Sequence, residues 1–187
     1  MIAVYIIIGV VVVLLIIFIM TYNGLVRRRN QVKNAWAQID VQLKRRFDLI
    51  PNLMETVKGY MKHERATLEA VTNARNLAQQ ATSSGVGERA KAEGELSSAL
   101  SRLLAVVENY PDLKANQNFL ALQEELTSTE NKISFSRQYY NDSVLSYNNQ
   151  TQMFPSNMIA SMTGFKASEF FEVTAATERE APKVSFT

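Results

Sequence analysis

The chain opens on an unbroken apolar run and then changes to a spaced pattern. Residues 2–20 read IAVYIIIGVVVVLLIIFIM, 19 positions without a charge. At 1.5 Å rise per residue a helix of that length reaches roughly 28 Å, close to the bilayer hydrocarbon thickness of about 30 Å. The run predicts one membrane-spanning helix. A cleaved signal peptide would show a basic segment before its core and small residues at its exit, whereas Thr21, Tyr22 and Asn23 stand at the exit here.

From Val32 the apolar positions fall three and four apart: Val32, Trp36, Ile39, Leu43, Phe47, Ile50, Met54, Val57 and Met61, then Leu68, Val71 and Ala78. This is the spacing of an amphipathic helix whose stripe is wide enough to meet more than one neighbour. Pro51 removes a helical donor and predicts a kink or a break over residues 48–50. The stripe keeps its phase across the proline, which favours one kinked helix over a hairpin. Residues 82–87 (TSSGVG) form the first convincing loop. A second helix follows over residues 88–108 through Leu96, Leu100, Leu103, Leu104 and Val107. Asn109-Tyr110-Pro111-Asp112 is the next turn, and a third long helix runs to about Gln152.

That third helix carries a seven-residue apolar repeat, Phe119, Leu126, Ile133, Tyr140 and Tyr147, with Thr129, Ser136 and Ser143 at positions three later. Seven-residue spacing favours long helices packed at shallow angles, and core packing accounts for the stripe. Phe154-Pro155-Ser156-Asn157 ends the helix, with a short turn over residues 158–162 before Gly164. Phe165, Phe170, Phe171, Val173, Val184 and Phe186 predict a tail partly docked on the bundle. The expected fold is all-α: an elongated, antiparallel up-and-down bundle of three long helices, the first kinked at Pro51, or of four. It follows a transmembrane anchor at residues 1–21, occupies residues 22–163 and leaves a tail at 164–187.

Composition removes most chemistry. Of the first 20 residues, 19 are apolar, which leaves the remainder roughly 41% apolar, lean but foldable. Zero cysteines exclude disulfides, thiolate zinc, iron–sulfur clusters and thiol catalysis, and one histidine, His63, argues against a metal centre. His63-Glu64 lacks the second histidine of a zinc-protease helix, because position 67 is Thr67. Gly85-Val86-Gly87 lacks the residues of a phosphate loop, and no serine sits in a nucleophile elbow. No cofactor is expected.

Charge is divided. Residues 21–75 carry 11 basic and five acidic side chains, and residues 76–187 carry nine and 13. The basic half begins directly after the span with Arg27, Arg28, Arg29 and Lys33. Attraction to anionic lipid headgroups explains this cluster economically, and the positive-inside rule places the N-terminus outside and the helical domain in the cytoplasm. Lys44-Arg45-Arg46 adds a second basic group. Without a reader motif, nucleic-acid binding is not expected.

Beside the seven-residue stripe runs a polar face: Glu130, Ser134, Arg137, Asn141 and Asn148. A solvated flank, an internal seam that sets helix register and a ligand site all fit this pattern, since a buried polar group without a mate is costly. Glu130 and Arg137 lie two turns apart, roughly 10.5 Å along the axis, so their partners are expected on other helices.

The sequence resembles the LemA family of bacterial membrane proteins in several blocks. These are YNGLVRRRNQVKNAWAQIDVQLKRRFDLIPNLMETVKGY from Tyr22, NARNLA from Asn73, NYPDLKANQNFLALQEELTSTENKI from Asn109, SRQYYNDSVLSYNNQTQMFPSNMIA from Ser136, and the phenylalanine-rich tail ending in PKVSF. The resemblance covers nearly all of the chain beyond the span and implies one N-terminal span with a helical bundle. It places Trp36, Asp40, Arg45, Arg46, Pro51, Asn52, Arg75, Asn116, Glu130, Asn131, Arg137, Tyr140, Asn141, Tyr147 and Asn148 in motif blocks, and it implies no catalytic mechanism. The expected function is a non-enzymatic scaffold or interaction protein of the bacterial cell membrane, meeting an unidentified membrane-associated partner or further copies of itself. The alternative is a membrane-proximal enzyme or sensor that uses Glu130, Arg137 and Asn141.

Overall fold

The computed structural model describes residues 1–172. It consists of α1 (Ile2–Lys58), α2 (Arg65–Gln80), a 3-10 turn (Ala81–Ser83), α3 (Val86–Val107), the single turn α4 (Pro111–Lys114), α5 (Gln117–Gln152) and α6 (Ser156–Thr163). The expected tail positions Val173, Val184 and Phe186 lie outside the described residues. Residues 1–41 with 133–170 make one compact unit, and residues 42–132 with 171–172 make a second. Both α1 and α5 contribute to each.

In the first unit α1 starts as a helix whose apolar side chains are uncovered. The run over residues 2–20 is exposed throughout, as a membrane-spanning segment is when no other helix packs on it. Farther along α1, Leu25, Val32, Ala35 and Ile39 are buried. α5 lies antiparallel to α1: Gly24 faces Gln150 and Trp36 meets Tyr140 at 5.4 Å between ring centroids. α6 ends at Gly164, whose φ of 75° is the left-handed cap geometry that glycine adopts without a Cβ penalty.

The second unit holds the larger core. Ile50, Leu53 and Val57 of α1 join Val71 and Ala74 of α2, Leu96, Leu100 and Leu103 of α3, and Phe119 and Leu126 of α5. Leu113 of α4 joins them, so five helices share this core, and one expectation is corrected. The stripe from Val32 to Ala78 is not one helix: α1 continues through Pro51, as expected, but ends at Lys58, and α2 starts at Arg65. Gly59 weakens the helix there. The intervening turn is closed by the amides of Tyr60 and Met61 on the Val57 carbonyl. Met61 is completely buried in that turn, so the apolar spacing passes through a place where the helix does not.

α5 is started by Asn116, whose Oδ1 accepts from the amides of Asn118 and Phe119 at 2.9 and 3.1 Å, the geometry of an N-cap. Every member of its seven-residue stripe is buried. Thr129 and Ser143 are buried beside it without orphaned hydroxyls, because each donates to the carbonyl four residues back, Glu125 and Tyr139, at 2.8 Å.

Candidate functional site

The most concentrated polar chemistry lies inside the second unit, around Arg46. On α1 the buried row is Ile39, Leu43, Arg46, Ile50, Leu53 and Val57, so Arg46 occupies a core position of an otherwise apolar stripe. It is 1% exposed. Its Nη1 donates to Glu130 Oε1 of α5 at 2.6 Å and to Ser97 Oγ of α3 at 2.7 Å. Its Nη2 pairs with the Glu93 carboxylate and reaches the Glu93 carbonyl oxygen at 3.3 Å. Ser97 donates to the second oxygen of Glu130 at 3.4 Å. One guanidinium thus joins three helices through two carboxylates and a hydroxyl.

Desolvating a cation is tolerated only when opposite charges and hydrogen bonds replace its water, and breaking such a buried pair typically costs about 3–5 kcal/mol. The Arg46 Nε makes no hydrogen bond among the described residues, so the group is held from its outer end. Glu93 is almost as buried as Arg46, whereas Glu130 is about one-third exposed. A guanidinium occupied on both terminal nitrogens by carboxylates offers no face to an incoming anion. The arrangement ties α1, α3 and α5 to one another.

The polar face expected on α5 separates into distinct roles. Glu130 belongs to the Arg46 cluster. Asn148 pairs with the backbone of Ser168, its Oδ1 accepting from the amide at 2.8 Å and its Nδ2 donating to the carbonyl at 2.9 Å. Arg137 and Asn141 are half-buried and Ser134 is exposed. Glu130 and Asn148 are 18 residues apart, roughly 27 Å along a helix, and the five side chains form no single constellation.

Asn148 is one rung of a row along α5. Tyr147 donates its hydroxyl to the Lys166 carbonyl at 2.8 Å and Tyr140 to the Glu169 carbonyl at 2.9 Å. Three side chains thereby fasten the non-helical segment at residues 166–169. Burial pushes the Tyr140 phenol above its ordinary value, with the Glu169 carboxylate adding to the shift. Burial also raises Tyr147, against the opposing charge of Arg29.

Arg27, Arg28, Arg29 and Lys33 are all exposed, and the Arg29 guanidinium lies 4.7 Å from the centroid of the Phe165 ring. His63 is exposed as well. Among the described residues no group of three His, Cys, Asp or Glu side chains is placed to hold a metal ion. The polar face expected from the sequence did not include Arg46, Glu93 or Ser97, and Arg46 stood there only in a basic group and a motif block. The available signal was a charge in phase with apolar neighbours: Arg46 follows Leu43 by three and precedes Ile50 by four, and Glu93 stands three residues from both Ala90 and Leu96.

The LemA family model matches residues 35–186. The chain is 28% identical over 163 residues to Protein LemA of Metamycoplasma hominis, covering 83% of this chain and 73% of that protein. It is 25% identical over 178 residues to magnetosome protein MamQ 1 of Paramagnetospirillum magneticum, covering 82% of this chain and 65% of the relative. Magnetosome protein MamQ of Magnetospirillum gryphiswaldense is 24% identical over 177 residues, with the same coverage. The chain thus spans a little under two-thirds of the length of these magnetosome relatives.

Proposed function

The chain belongs to the LemA family, and from that premise we propose that this single-pass membrane protein is a non-enzymatic scaffold that holds a protein partner, or further copies of itself, at the bilayer. In this reading residues 1–21 anchor, residues 22–163 form the working helices and residues 164–187 are the tail that α5 begins to fasten. Arg27, Arg28 and Arg29 on the downstream flank favour the helices on the cytoplasmic side.

The observation that carries the reading is the closed Arg46 cluster. Its charged groups are engaged with one another across α1, α3 and α5, which suits a rigid frame better than a reaction. Relatives named as magnetosome proteins and as LemA align along much of this helical stretch, which supports a shared framework over one fixed substrate.

Photo-crosslinking in intact membranes tests it. A crosslinker at Phe135, 72% exposed on α5, should yield one or a few discrete protein adducts. A smear, or no adduct from any exposed position on α1 or α5, counts against a scaffold. Protease added to intact cells should spare the helical region, and its digestion there would reverse the orientation.

A further inference from the structure

The first unit contains a groove where the apolar run of α1 ends. Leu25, fully buried, packs on Ile159 and Ala160 of α6 and on Phe165, and Tyr22 meets Phe165 edge-on at 5.8 Å. Tyr22 and Leu25 stand roughly 3 and 7.5 Å beyond Met20 along a helix axis. The headgroup layer adds about 5–8 Å to each side of the hydrocarbon core, so these contacts hold α6 at headgroup depth. Met158 and Met162 of α6, and Met153 and Phe154 before it, remain exposed, Met162 at 78% and Phe154 at 79%. Large apolar side chains clustered at that depth are the mark of a surface that dips into the interface.

The groove measures about 710 Å³, within the usual range of small-ligand sites. It starts at Gly24, where a Cβ would come within 2.7 Å of Gln150 Nε2, so the missing side chain leaves room for the Gln150 carboxamide. Arg27, Arg28 and Gln31 line one wall, Asn149 and Gln150 the other, and Met153 and Phe154 form the rim. Among the described residues no carboxylate lines it. Helical side chains lean toward the helix N-terminus, which for Arg27 and Arg28 is toward the bilayer, and their stems are long enough to carry the guanidinium to the phosphate layer. Two cations and carboxamide donors beside an apolar rim match an amphiphile with a negative head.

We propose that this groove binds the phosphate headgroup of an anionic phospholipid, whose acyl chains pass Met153 and Phe154 and descend beside the apolar run of α1. The proposal rests on the membrane-anchored reading above. It assigns Arg27 and Arg28 to a specific site, and Arg29 and Lys33 to the general field.

Native mass spectrometry of the detergent-solubilised full chain, titrated with short-chain phosphatidylglycerol and with phosphatidylcholine as the neutral comparison, tests it. Arg27→Gln with Arg28→Gln should weaken phosphatidylglycerol binding about 30-fold, equivalent to about 2 kcal/mol for two headgroup-level charges. Met153→Glu, which puts a carboxylate on the exposed rim, should weaken it comparably while leaving circular dichroism unchanged. Lys44→Gln with Lys58→Gln removes the same charge roughly 24 Å or more along α1 from Arg28 and should shift binding by less than about threefold, because that separation exceeds the Debye length. Equal weakening in both double variants, or no preference over phosphatidylcholine, overturns the site. Saturation by glycerol phosphate with no gain from the acyl chains assigns the groove to a soluble anion and overturns it too. Release of the unaltered chain from membranes by alkaline carbonate defeats the membrane-anchored reading itself, whereas a carbonate-resistant chain without lipid preference defeats only the groove.

Discussion

Arg75 of α2 donates its Nε to the backbone carbonyl oxygen of Phe47 at 3.4 Å, and its guanidinium lies 3.7 Å from the centroid of the Phe47 ring. Phe47 is four residues before Pro51, so its carbonyl is the acceptor that proline leaves without a helical donor. An arginine from the neighbouring helix supplies the missing N–H, and the cation over the ring adds a second attachment. α1 continues through Pro51 with its ladder completed from outside.

Arg75→Met keeps the aliphatic stem and removes the donor, and should destabilise the protein by about 1–2 kcal/mol. Pro51→Ala restores the helical N–H to Phe47. In that background the same Arg75 change should cost at least about 0.5 kcal/mol less, a coupling measured by urea unfolding of the solubilised protein. Strictly additive losses would detach Arg75 from the proline.

Removing the central cation should be far more damaging than removing the whole cluster. Arg46→Met removes the cation that pairs with both Glu93 and Glu130 and should cost about 3–5 kcal/mol. Adding Glu93→Met and Glu130→Gln to it should recover most of that loss, because the desolvation of ions disappears with them. Failure of the triple variant to regain stability would mean that shape, not charge, holds these helices.

Tyr140 and Tyr147 tie stability to alkaline pH. Both phenols are raised above 10.0 in the folded chain, so their contribution is fully present below about pH 10 and is lost as pH rises through the folded values. The urea midpoint should hold up to that point and fall above it. Tyr140→Phe with Tyr147→Phe should lower stability at neutral pH by about 1 kcal/mol per lost hydrogen bond and flatten the alkaline fall. An unchanged alkaline slope would place its cause elsewhere.

Two phenylalanines on α5 should behave oppositely. Phe119 is 1% exposed in the core and Phe135 is 72% exposed. Phe119→Ala should cost about 3–5 kcal/mol through lost burial and the cavity left behind, while Phe135→Ala should stay within about 0.5 kcal/mol. Comparable losses in urea unfolding would show that Phe135 is covered in solution.

Apolar spacing by itself determined the span, α3 and the buried face of α5, because helix periodicity is a local property of the chain. It also located the turns at residues 82–87 and 109–112, where glycine and proline alter the backbone directly. The turn after Lys58 was not legible. Met61 keeps the stripe in phase while buried in a loop, and only the packing of α2 on α3 decides that the chain reverses there.

The role of each charge was likewise a tertiary decision. Arg45 and Arg46 are adjacent and chemically identical, yet Arg45 is exposed and meets Glu125 at 2.5 Å, whereas Arg46 is sealed in the core. Its carboxylate partners lie 47 and 84 residues away in the chain. A guanidinium can leave water only where other helices bring carboxylates to it, and that meeting is a property of the assembled fold, which no local pattern around residue 46 contains.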